Sequence, residues 1–120
     1  MSKKTVVIGA SINPERYGYK ATVALQNKQH EVIALGIKEG EINGTKILLG
    51  QPEIKEVDTV SLYVGPKNQA EWMNYVIGLK PKRVIFNPGT ENAEFEELLK
   101  KNDIEPVEAC TLVMLSIGNY

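Results

Sequence analysis

Short runs of β-branched and apolar residues alternate with stretches of helical period along this chain, and that alternation restricts its fold more than any other feature. Thr5 to Ile8 reads TVVI and ends at Gly9, the pattern of a strand buried on both faces. Tyr17 to Asn27 follows with Tyr17, Ala21, Ala24 and Leu25 at helical spacing. Glu31 to Leu35 is strand-like again, and Thr45 to Leu49 is a weaker strand followed by a short helical turn over Pro52 to Glu56. Asp58 to Val64 is a clear strand. Pro66 opens a helix running to Leu79, since proline suits a first helical turn. Arg83 to Phe86, Asn92 to Lys101 and Ile104 to Val107 complete a strand, a charged helix and a last short strand, with Phe95, Leu98 and Leu99 on one face of that helix. Thr111 to Ser116 reads as a final helix packed back on the body.

Strand, helix and strand in repetition mean a parallel sheet with right-handed crossovers and helices on both faces. The expected fold is therefore α/β, a Rossmann-type doubly wound sheet of about five strands in a three-layer αβα sandwich. With 120 residues the chain suits one domain spanning positions 1–120. A net charge of −1 gives no general attraction to nucleic acid or an anionic membrane. No apolar run approaches the roughly 18 residues of a spanning helix, and Met1-Ser2-Lys3-Lys4 leads directly into a strand rather than a signal-peptide core. Cys110 is the only cysteine, which leaves neither an internal disulfide nor a cysteine-based zinc site. The expected location is the cytoplasm.

In sheets of this kind ligands bind outside the carboxyl ends of the strands, so special residues should gather after strands rather than before them. They do. Gly9-Ala10-Ser11-Ile12-Asn13-Pro14-Glu15-Arg16 follows the first strand, Gly65-Pro66-Lys67-Asn68 the strand ending near Val64, and Asn87-Pro88-Gly89-Thr90 the strand ending at Phe86. Segments entering strands are plain, as in Asn27-Lys28-Gln29-His30 and Lys80-Pro81-Lys82. In the first loop Gly9 permits close backbone approach, while Ser11 and Asn13 either donate to phosphate or cap the next helix. That helix start is an anion site in waiting, with Arg16 and Lys20 one turn apart adding formal charge.

The ligand class is narrower than phosphate in general. Only Gly9 fits the G-x-G-x-x-G dinucleotide fingerprint, and Ser11 and Pro14 interrupt it. Where NAD sites carry an acidic residue, this chain has Leu35-Gly36-Ile37-Lys38. A lysine there suits an extra phosphate near a ribose, which leaves NADP or coenzyme A. Gly9-Ala10-Ser11-x-Asn13-Pro14-x-Arg16-Tyr17, Tyr19-Lys20, Asn87-Pro88-Gly89-Thr90-Glu91-Asn92 and Glu108-Ala109-Cys110-Thr111-Leu112-Val113 closely resemble the small stand-alone CoA-binding-domain family. That family is similar to the N-terminal CoA-binding domain of succinyl-CoA synthetase alpha subunits. The resemblance implies that Gly9 to Arg16 lies on the CoA phosphates and that Lys38 meets the ribose-phosphate end. Val64 to Asn68 and Asn87 to Thr90 would line the nucleotide and pantetheine path. The family's Asn-Pro-Lys after the second strand reads Gly36-Ile37-Lys38 here, so the lysine is kept and the Asn-Pro turn is lost.

No catalytic constellation is evident. The related acyl-CoA synthetases use a phosphorylated histidine in a further domain, whereas His30 precedes the second strand, at the edge away from the loops. Glu91 and Glu108 fall near the expected site without forming a pair, and Glu91 suits the start of the next helix. Cys110 follows the last strand and is either a small buried hydrophobe or a ligand-edge thiol open to a mixed disulfide with CoA. Trp72, Met73, Tyr75 and Val76 read as core. The expected function is non-catalytic binding of coenzyme A or an acyl-CoA. The alternatives are a sensor for another nucleotide such as NADP, and an acyl-CoA-dependent enzyme subunit that needs a partner chain. Leu112 to Ile117 suits either core or a homodimer or partner-protein contact.

Overall fold

The computed structural model describes residues 2–120 and contains β1 (Thr5–Ile8), α1 (Tyr17–Asn27), β2 (Val32–Leu35), β3 (Gly40–Ile42), β4 (Thr45–Leu48), β5 (Thr59–Leu62), a 3₁₀ turn (Pro66–Asn68), α2 (Ala70–Leu79), β6 (Arg83–Phe86), α3 (Ala93–Lys101), β7 (Glu105–Glu108) and α4 (Thr111–Ile117). One sheet holds all seven strands in the order β3-β4-β2-β1-β5-β6-β7. Every pairing is parallel except β3 with β4. The fold is the α/β doubly wound sheet read from the sequence, with two strands more than expected.

Thr45 to Leu49, the weaker strand of the sequence, is β4, and the one strand not read there, β3, has a local cause. Ile42 pairs with Thr45, so Asn43 and Gly44 form a two-residue loop, and both have positive φ, at 46° and 89°. Asn-Gly is the strongest short signal for such a hairpin because both residues tolerate left-handed backbone. Gln26 of α1 then holds the hairpin by donating to the Ile42 carbonyl and the Thr45 hydroxyl, both at 2.8 Å.

The expected helical turn over Pro52–Glu56 does not form; the segment is irregular. Its carbonyls serve neighbours instead. Tyr75 donates to Pro52 O at 2.6 Å and Lys4 Nζ donates to Lys55 O at 2.7 Å. A few residues cannot nucleate a helix against such competition. The helix expected from Pro66 is likewise two pieces, a 3₁₀ turn and α2, joined at Gln69.

Strand alternation builds two cores. Val6, Ile8, Val60, Leu62, Val84 and Phe86 face α2 and α3, where they meet Val76, Phe95 and Leu99. Val7 and Ile85 face α1 and α4, where they meet Leu25 and Leu115. Trp72, Met73 and Tyr75 are only half-buried against the first core, so of the expected group Val76 alone is fully enclosed. Tyr17 points outward at 62% exposure instead of joining the apolar face of α1. The C-terminal stretch divides, with Thr111 and Leu115 buried and Val113 and Ile117 exposed.

A polar network closes the amino-terminal edge of the sheet. Tyr120 bonds Thr5 through its hydroxyl at 2.6 Å, and its carbonyl accepts from Lys3 Nζ at 2.6 Å and Arg83 Nη2 at 2.8 Å. The Arg83 guanidinium lies 4.5 Å from the Tyr120 ring centroid, a cation–π contact. His30 belongs to this edge, its Nδ1 accepting from the Lys3 N–H at 2.9 Å. Among the described residues no helix is long and apolar enough to cross a membrane.

Candidate ligand site at the carboxyl ends of the strands

β1 lies between β2 and β5, so the chain leaves it in opposite directions and the strand order reverses there. The loops after β1, β2, β5, β6 and β7 all emerge on this edge, because those strands are parallel. The expected site residues therefore share one side of the molecule.

The β1–α1 loop is held by its backbone. Gly9 has φ +102°, and a Cβ there would stand 3.1 Å from the Tyr63 backbone, so only glycine suits the turn. The Gly9 and Ala10 N–H groups both donate to Leu35 O, at 3.0 and 2.9 Å. Gly18, in the first turn of α1, sits directly on the Gly9 carbonyl. Helix and loop are thus in backbone contact.

Beyond Ala10 the loop folds on itself. Asn13 N–H donates to Ser11 Oγ at 3.1 Å, and Glu15 N–H donates to Asn13 Oδ1 at 3.0 Å. Neither Ser11 nor Asn13 caps α1; the N-cap residue is Arg16, and no side chain bonds the helix start. The first backbone N–H groups of the helix therefore lack a side-chain acceptor. Ser11 and Asn13 use their acceptor oxygens within the turn, so the Ser11 O–H and the Asn13 amide N–H remain as donors. Arg16 and Lys20 are exposed, no acidic residue occupies the first turn, and Lys20 Nζ lies 5.0 Å from the Tyr17 ring. Donors and positive charge converge, which is what an anion requires.

After β2, Gly36 packs against the first loop, since a Cβ there would lie 2.5 Å from Ala10 O. Lys38 is consequently carried beside the first loop on an exposed turn. Ile12, Ile37, Leu48 and Leu49 are each exposed, Ile37 at 92%.

The loops after β5 and β6 are tied beneath the surface. Asn87, expected to line the ligand path, is fully buried and its amide is engaged on every side. Its Nδ2 donates to Ser61 Oγ at 3.0 Å and Leu62 O at 2.9 Å, and its Oδ1 accepts from Thr111 N–H at 2.8 Å. Thr90 is buried too, donating from its hydroxyl to Asn87 O at 2.8 Å. These two residues shape the loop from below, while Pro88, Gly89, Pro66 and Asn68 are exposed and Val64 is half-buried. Gln69 completes the tie by donating to Val64 O and Thr90 O, both at 2.8 Å, and accepting from Asn92 at 2.9 Å. Nothing in the local pattern marks Gln69, because its partners are distant in sequence.

Tyr63 also escapes sequence reasoning. It follows β5 under Gly9, and its hydroxyl is enclosed next to the Ser61 and Thr111 hydroxyls without a well-formed hydrogen bond among the described residues. Burial pushes its pKa up to about 12. Ser61 and Thr111 beside it bond each other at 2.8 Å. Cys110 is half-buried at the N-cap of α4, with no side-chain cap. Glu91 accepts from Gly89 N–H at 2.9 Å, while Asn92 is the residue that caps α3. Glu91, Glu96 and Glu108 line one surface hollow, and burial together with a hydrogen bond to Glu108 raises the Glu96 pKa. No group of three His, Cys, Asp or Glu could hold a metal among the described residues.

These features define an α/β protein with a doubly wound sheet and a glycine-containing loop at the point where its strand order reverses. The chain belongs to the CoA binding domain family, whose model matches residues 3–116. It is similar over its whole length to an uncharacterized protein of known crystal structure, with 52% identity, a TM-score of 0.97 and 99% of that chain covered. A conserved hypothetical protein from Pyrococcus furiosus matches at 29% identity and TM-score 0.80, with 92% of this chain and 97% of that one covered. A protein from Thermus thermophilus shares the fold at 22% identity and TM-score 0.86, with 99% and 91% covered. No curated protein matches the chain.

Proposed function

We propose that this protein binds coenzyme A or an acyl-CoA without transforming it, through the loops at the carboxyl ends of its strands. The observation that carries the reading is the start of α1, which no side chain caps, beneath a loop whose Ser11 hydroxyl and Asn13 amide each still have a proton to donate. Family membership supplies the ligand class. On this reading the pyrophosphate rests against the loop from Gly9 to Arg16, with Lys20 adding charge. Lys38 meets the phosphate on the ribose, and the exposed Ile12 and Ile37 side chains of the neighbouring loops offer apolar surface to the base. The pantetheine arm runs past Val64 to Asn68 and over Pro88 and Gly89 towards Cys110. His30 lies at the far edge of the sheet, away from these loops. A cytoplasmic address and a small-molecule partner go with this reading.

The test is a thermal-shift comparison of CoA, dephospho-CoA, NADP, NAD and AMP at equal concentration. A ligand at a hundred times its dissociation constant stabilises by about 2.7 kcal/mol, a shift on the order of ten degrees for a domain of this size. CoA should give the largest shift and dephospho-CoA a smaller one. A shift with NADP and none with CoA would overturn the assignment.

A further inference from the structure

We propose that Asn43-Gly44, the turn of the β3–β4 hairpin, is a site of spontaneous deamidation whose product loosens the β1–α1 loop. The Gly44 backbone nitrogen loses its proton and attacks the Asn43 side-chain carbonyl carbon. A new N–C bond closes a succinimide ring, and the side-chain nitrogen leaves as ammonia. Water then opens the ring at either carbonyl, which yields aspartate or isoaspartate. Nothing is oxidised or reduced, and water is the one co-reactant.

The residues and their surroundings single out this dipeptide. Asn43 is the only asparagine in the chain that precedes glycine. Asn13 and Asn87 precede proline, whose nitrogen carries no proton, and the remaining asparagines precede residues whose Cβ crowds the attacking atom. Asn43 and Gly44 are both exposed, and nothing lies within 4 Å of where a Gly44 Cβ would stand. The Asn43 amide is also unheld. No hydrogen bond involves its side chain among the described residues, whereas the side chains of Asn13, Asn87, Asn92 and Asn102 are all engaged.

The hairpin controls the rate. Asn43 and Gly44 have φ of 46° and 89°, and a left-handed residue has ψ of about +47°. That rotation swings the Gly44 nitrogen away from the Asn43 side chain, so ring closure waits for the turn to open. Gln26 restrains opening by donating to Ile42 O and Thr45 Oγ1, both at 2.8 Å. Against it, β3 is an edge strand of 3 residues paired on one side alone, the kind of element that opens without global unfolding.

The product acts on the ligand edge through Gly40. That residue lies against the Ile12 side chain with no room for a Cβ, so β3 touches the loop that follows β1. Isoaspartate routes the main chain through its side chain and lengthens the turn by a methylene. A two-residue turn cannot absorb that without displacing β3 along β4. Ile12 then loses its backing. A consequence for CoA rests on the binding role proposed above; the modification itself does not.

Tryptic mapping of the full chain, aged at body temperature in mildly alkaline buffer, tests this without a ligand. The peptide Glu39–Lys46 should convert ahead of every other asparagine-containing peptide, gaining the mass of NH exchanged for O. Asn43→Ser should abolish that gain. Gln26→Ala, with its circular dichroism spectrum unchanged, should convert about tenfold faster, the factor expected when ordinary hydrogen bonds are lost. In the isoaspartate form the Ile12 methyl resonances should move, while those of Leu99 in the opposite core stay. An unmodified Glu39–Lys46 peptide after others have converted overturns the proposal. An unchanged rate in Gln26→Ala overturns control by the hairpin, and unmoved Ile12 resonances overturn the effect on the loop.

Discussion

Gly18→Ala probes the contact on which the candidate site is built. In an unencumbered helix the change is favourable by about 1 kcal/mol, because glycine loses more backbone freedom than alanine on folding. At position 18 the added methyl would meet the Gly9 carbonyl oxygen well inside the 3.0 Å that side chains keep, with Ala10 Cα at 3.2 Å. Both obstacles are backbone. Gly9 cannot retreat, since Tyr63 stands behind it and its N–H is bonded to Leu35 O at 3.0 Å. Helix α1 must therefore lift from the loop, and overpacking of this kind costs about 3 kcal/mol at the upper end of its usual range. Subtracting the helix gain leaves a net loss of about 2 kcal/mol, a melting point lower by roughly 8 °C. Urea unfolding followed by circular dichroism measures the first quantity and a thermal scan the second. The displaced loop should also reduce the stabilisation by CoA. A variant that melts higher than the native protein would refute the reasoning, because α1 would then not press on the loop.

Asn87→Ala removes three hydrogen bonds and strands the Leu62 carbonyl and the Thr111 N–H, so unfolding in urea should show a loss of roughly 3 kcal/mol; a loss below about 1 kcal/mol would mean that the amide does not tie these loops. Tyr63→Phe deletes a hydroxyl that makes no well-formed hydrogen bond among the described residues, and stability should stay within about 0.5 kcal/mol, whereas a larger loss would reveal a bond from that hydroxyl to Ser61 or Thr111. Stability should also fall in mild acid through His30. Burial, followed by Lys3 and Arg83, lowers its pKa from 6.5, so the unfolded chain takes up the proton first as pH drops. The contribution is complete above pH 6.5 and declines below it, where protonation also deprives the Lys3 N–H of its acceptor. His30→Asn should flatten the dependence of unfolding free energy on pH in that window, and an unchanged slope would exclude the histidine as its source.

The order of most elements was legible in the residues alone, as was the edge on which the glycine- and asparagine-rich loops gather. Strands such as Thr5–Ile8 and Arg83–Phe86 announce themselves because burial on both faces demands uninterrupted apolar residues, a local requirement. The β1–α1 loop was legible for the same reason, since glycine, serine, asparagine and a following helix are adjacent in the chain. The β3–β4 hairpin went unread although Asn43-Gly44 signals its turn, because its short strands carry little periodicity to accompany that dipeptide. Tertiary structure alone decided how the site is supported. Asn87 belongs to a loop that looks like ligand-facing surface, yet its side chain turns inward because β5 and α4 present unpaired polar groups to it. Gln69 and Tyr63 give no local sign of their positions, since Gln69 bonds Thr90 across 21 residues and Tyr63 lies under a glycine more than fifty residues earlier. Local pattern reports which face a residue must hide. What that residue then touches depends on the long-range pairing of strands, and only the folded sheet supplies it.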